Sequence, residues 1–173
     1  AGNPDHPADE KGRNAMTEEQ KQAYTRRITQ ANKTQLVTIL YEMTADYMKD
    51  AKKAIEGGDG AETDRQIQLA QGCVDQLIHG LDMKVEISQN LLQLYLFAKQ
   101  ELIKAVTDHD PVHFDNAGIV INGLHETYLK LEKMDDSKPE MENTQSVVAG
   151  MTYGQSGLNE TIADPDANRG FKA

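Results

Sequence analysis

Tryptophan is absent from the 173 residues, phenylalanine occurs three times and cysteine once. With so few large aromatics, the 38% of apolar residues must build a core from Leu, Ile, Val, Ala and Met, a palette that suits helices. Alternating runs of Val, Ile, Thr and aromatics are missing, as are the Gly-rich hairpin signals that would separate them, and this excludes a strand-built fold. The lone Cys73 allows no internal disulfide, no zinc-thiolate cluster and no Cys-x-x-Cys-His haem attachment, and it favours a reducing compartment. Set among Ala70, Val74 and Leu77, it reads as a small residue flanking the core. Basic residues are in deficit, 18 against 28 acidic, and a net charge of −10 repels nucleic acid and anionic membrane surfaces. No apolar run reaches the roughly 20 residues that span a bilayer, and no secretory h-region is seen, so no membrane insertion and a cytoplasmic location are expected.

What the chain does have is helical periodicity. From Asn32 to Ile55, Leu36, Leu40, Met43, Tyr47, Ala51 and Ala54 fall on one face. Beside them runs a second row, Val37, Tyr41, Met48 and Ile55, widening the apolar arc to roughly 200° where a bundle helix needs little more than about 100°. The first row reads as core, the second as one wall of a groove for another chain or a terminal arm. Asn32 with Gln35 makes a capping box at the start, and Gly57-Gly58-Asp59 ends the helix. A second helix from about Glu62 to Ile78, or on to Leu81, carries a single narrow seam of Ile67, Ala70, Val74, Leu77 and Leu81. A third, Val85 to Val106, has a core row of Ile87, Leu91, Leu94, Ala98, Leu102 and Ala105. It also has a displaced row of Leu92, Leu96 and Ile103, with Tyr95 between the two. A fourth runs from Pro111, with Asp110 as N-cap, to Lys133 on Phe114, Ala117, Ile121, Leu124, Tyr128 and Leu131.

Four helices with short turns must run up and down against one another, so the expected fold is all-α, an antiparallel up-and-down four-helix bundle. Residues 1–16 read as a disordered leader, those before Met16 alternatively as residues ahead of a natural start at Met16. Residues 17–133 read as the bundle domain. Its N-terminal arm, 17–31, is anchored by Tyr24 and Ile28 one turn apart. Residues 134–173 read as an acidic flexible tail, with a tail lying down on the bundle as the alternative. Scattered Val147, Val148, Met151, Tyr153, Leu158 and Ile162 are separated there by glycines.

Chemistry is hard to place on this chain. No inward Glu-x-x-His pairs exist for a di-iron site. His109 and His113 have the spacing of a zinc pair, but Pro111 lies between them at a helix start, and turn histidines are the simpler reading. His79 and His125 read as ordinary hydrogen-bonded side chains. Gly57-Gly58-Asp59-Gly60 lacks the Lys-Ser/Thr and the preceding strand of a phosphate loop and reads as a turn. No cofactor, metal or catalytic residue is expected, and the chain reads as no enzyme.

The order and spacing of several short motifs do carry a resemblance. They are Ala23-Tyr24 and Ile28; Ala31, Leu36 and Leu40-Tyr41-Glu42; Ala54-Ile55; Leu81-Asp82; Glu86-Ile87; Asn90-Leu91 and Leu94-Tyr95; and Leu102 with Ala105. Over roughly Tyr24 to Leu131 the sequence resembles the flagellin-specific export chaperones of the FliS family. It departs from them at Asn32-Lys33-Thr34, where the family usually has Ser-Pro-Glu, and at Lys84-Val85, where Gly-Gly is common. The resemblance implies a cytoplasmic chaperone that binds the disordered C-terminal segment of flagellin, prevents premature polymerisation and delivers it to the type III export apparatus. On that footing Val37, Tyr41 and Met48, with Leu92, Tyr95, Leu96 and Ile103, are the expected client contacts. The family's N-terminal arm covers part of this surface when it is empty, a role that falls here to Tyr24 and Ile28. The competing expectation is that the second rows meet each other or a second copy, giving a homodimer or oligomeric scaffold without a client.

Overall fold

A computed structural model describes residues 15–140, and the expectations for a disordered leader and for most of the tail fall on residues 1–14 and 141–173, outside the described residues. Five helices follow in order: α1 (Glu18–Gln30), α2 (Lys33–Glu56), α3 (Gly60–His79), α4 (Glu86–Thr107) and α5 (Val112–Glu132), with no strand among the described residues. None of these helices is long and apolar enough to cross a membrane.

The expected capping box opens α2: the Gln35 amide donates to Asn32 Oδ1 at 2.8 Å and the Asn32 amide to Gln35 Oε1 at 2.9 Å. Thr17 and Gln20 build the same box at the head of α1. Between α2 and α3 the chain reverses through Gly58 at φ 73°, a left-handed conformation that glycine adopts without a Cβ clash. Asp110 does serve the start of α5, accepting from the Val112 amide at 2.9 Å, although Pro111 holds the cap position itself.

Helices α2 to α5 close a ring in which each packs on its sequence neighbours and α5 returns to α2, while α1 packs on α2 alone. Pairs along α2 and α5 fix their antiparallel sense, with Thr34 on Asp135, Glu42 near His125 and Lys52 on Asp115. At the centre Tyr41 and Tyr95 share a hydroxyl hydrogen bond of 2.5 Å across the ring, and Tyr128 meets Tyr41 edge-on at 5.4 Å.

The arm, segment 17–31, is a fifth helix laid on α2: Tyr24 donates to Asp46 at 2.6 Å, Arg27 pairs with Glu42, and Ile28 is buried. The wide apolar arc of α2, expected as a groove wall for another chain or a terminal arm, is taken up within this chain. Tyr41 and Met48 stand in the core, and Val37 and Ile55 are half-buried against it. The physical reason is that α2 has three neighbours, α1, α3 and α5, where a bundle helix has two.

After α5 the chain turns back onto the start of α2. The Asn32 side-chain amide donates to the carbonyls of Asp135 and Ser137, both at 3.3 Å, and the Glu140 amide donates to the Ala31 carbonyl at 3.1 Å. This clasp ties residues 135–140 to the corner between α1 and α2.

Candidate binding surface

Helix α4 lies diagonally opposite α2 and keeps the apolar surface that α2 does not have. Its buried side is Leu91, Tyr95, Ala98, Leu102 and Ala105. Ile87 and Leu94, expected in that core, are instead exposed at 60% and 38%. Tyr95 stands at the centre of the buried stripe instead and shares a hydroxyl hydrogen bond with Tyr41. Tyr95 is thus a core residue, not a surface contact, and burial raises its phenol to about 12.

Of the residues expected on the surface, Leu96 at 40% and Ile103 at 53% are exposed and Leu92 is half-buried; Val37 is half-buried at the far side of the ring. Tyr41, Met48 and Tyr95 are inside. The structure therefore brings together Leu92, Leu96 and Ile103 on α4 and leaves no α2 wall facing them. Nor does α1 lie over them, since its helix partner is α2.

Two polar ties hold α4 in place on either flank. Lys99 donates to Asp75 of α3 at 2.5 Å, and the side of the helix on which it stands also carries Leu92, Leu96 and Ile103, which places that row along the seam with α3. The α3–α4 seam is the sparsest of the four in the ring. On the other flank Glu101, buried, accepts from Lys104 at 2.8 Å, from His113 Nδ1 at 2.8 Å and from Asn116 at 2.8 Å. These hydrogen bonds, Lys104's first, hold its carboxyl down at about 2. His113 Nε2 also meets Asp108 at 3.1 Å, so both nitrogens of that ring are engaged. His79 Nδ1 lies 2.7 Å from the Asp75 carbonyl, a local backbone partner.

Sequence reasoning missed Phe97, exposed at 41% on the α5 flank, and Met83 and Val85 ahead of α4. A signal was there to find: Ile87 to Ala98 contains no charged residue, in a chain that is 27% charged. Its exposed polar positions are Gln89, Asn90 and Gln93. A solvent-facing helix ordinarily carries charge, and its depletion marks the centre of an interaction surface.

Comparison with known proteins adds a family. A search of the curated proteins returns no match to the chain. A family model described as flagellar protein FliS matches residues 16–135. Those limits coincide with structure, because Met16 is buried against the helices and Asp135 is the residue that Thr34 holds. The match spans most of the sequence, and the chain belongs to the flagellar protein FliS family.

Proposed function

We propose that the protein is a cytoplasmic flagellar export chaperone whose α2–α5 ring is an antiparallel up-and-down four-helix bundle, and that its α4 face binds the C-terminal segment of flagellin. Membership of the FliS family supports the chaperone role. The observation that carries the binding face is the exposure of Leu96, Phe97 and Ile103, with Leu92 half-buried beside them, on a helix pinned at both flanks. An unfolded segment gains order by laying an amphipathic helix on such a row, and the buried apolar area offsets the ordering cost. Each Leu, Ile or Phe taken fully from water contributes about 1.5–3 kcal/mol, and these four are already partly covered, so a few such contacts suffice for a reversible complex. Holding the segment prevents flagellin from polymerising early and presents it to the type III export apparatus. The protein acts by binding, with no catalytic step and no cofactor.

Calorimetric titration of the full chain with a peptide of the flagellin C-terminal segment tests this. Leu96→Asp combined with Phe97→Asp is expected to weaken binding at least about tenfold, the loss of a central contact, while helix content and melting stay near wild type. Peptide affinity unchanged in that variant would remove α4 as the site. A stable dimer that takes no peptide would favour the oligomeric scaffold instead.

A further inference from the structure

We propose that the stretch of this same chain from Val147 to Ile162 lies on the α4 face when no flagellin is present, so that the protein covers its own binding surface. The proposal rests on the α4 face being the binding surface.

Position comes first. The clasp of Glu140 on Ala31 delivers the chain to the end of the ring where α2 begins. Helix α5 ends there as well, and because a short turn at the other end joins α4 to α5, α4 begins at this same end. Ile87 therefore lies across the ring from Glu140. Neighbouring helices sit about 8–10 Å apart, so the diagonal is on the order of 14 Å. Residues 141–146, extended, reach about 20 Å.

Length and chemistry also agree. Val147 to Ile162 is 16 residues, which wound as a helix measures about 24 Å. The row from Leu92 to Ile103 rises about 17 Å along α4, a length that such a helix covers in full. Val147 with Met151 and Leu158 with Ile162 are four apart, the spacing of one helical face. Gly150, Gly154 and Gly157 disfavour a helix standing alone, so its order would have to come from the surface it meets. Between Asn143 and Ile162 the one charged residue is Glu160, although the flanking tail holds Glu140, Glu142, Asp164 and Asp166. A charge-poor stretch inside an acidic tail matches the charge-poor stretch of α4, and neither needs a buried ion paired.

The test uses the full chain with Met151→Cys carrying a nitroxide. Cys73 is buried, with its thiol pushed up to about 12, and does not compete for the label. Methyl signals of Leu92, Leu96 and Ile103 are expected to broaden more than that of Ile119, which is exposed on α5, and to sharpen when flagellin peptide is added. Equal broadening at Ile119, or none at α4, overturns the proposal. So does broadening seen only when spin-labelled and isotope-labelled chains are mixed, which would make a second copy the occupant. A further variant, Met151→Asp with Leu158→Asp, is expected to raise peptide affinity about tenfold, the gain when a face covered nine-tenths of the time is freed. Peptide binding with no α4 broadening sinks the self-covering proposal and leaves the chaperone reading standing; α4 broadening with no peptide binding does the reverse.

Discussion

Glu101 is the carboxylate that the helical core takes in, and its partners make the α4–α5 contact sensitive to pH. The hydrogen bond to Glu101, then the charge of Glu101 and the hydrogen bond to Asp108, lift His113 above the ordinary imidazole value. The stabilisation from His113 is therefore complete below that ordinary value and is lost as pH rises through the raised one. Glu101 runs the other way: held at about 2, it contributes fully above the ordinary carboxylate range and loses its contribution only as pH falls toward about 2. The difference in melting temperature between wild type and His113→Gln is expected to be widest near about pH 6 and to close toward about pH 9. A gap constant over that range would mean that the imidazole charge takes no part. Elsewhere in the core, Tyr41→Phe leaves the Tyr95 hydroxyl without its partner and is expected to cost about 1 kcal/mol in urea unfolding. The double variant with Tyr95→Phe should cost less than the two single costs added, since the second change removes the orphaned group.

Among the elements, α2 was the most legible in its ends and the least legible in its sides. Capping chemistry and the glycines are local signals, so Asn32, Gln35 and Gly58 could be placed from sequence alone. Which neighbour covers Tyr41 or Met48 is decided by helices far along the chain, and an apolar arc reads the same whether a fifth helix or a client fills it. That is why the second row of α2 was assigned to a groove for another chain or a terminal arm and proves to hold Tyr41 and Met48 in the core, while the matching row of α4, with two neighbours only, stayed partly open. Asn32 also joins α2 to the segment after α5, as cap of the one and donor to residues 135 and 137 of the other. Asn32→Ala is expected to lower stability by about 1–2 kcal/mol, above a plain cap loss, and to speed amide exchange at Glu140. Loss of stability without faster exchange there would show that the clasp holds independently of Asn32.

At the scale of the whole molecule, the single thiol is a reporter of global opening. Cys73 lies between α2 and α3 at 1% exposure, so a thiol reagent is expected to modify it only as fast as the ring opens, with a rate that climbs with urea as unfolding does. Rapid modification of the folded protein would mean that α3 frays from α2 on its own. The arrangement of neighbours has one more consequence. Because α2 is enclosed on three sides while α4, its opposite, keeps an uncovered stripe, a client taken on the α4 face would be recognised from one side only. A client held on that edge alone is expected to saturate at one segment per chain. Pairing of two copies through that edge would leave neither with anywhere to carry a load.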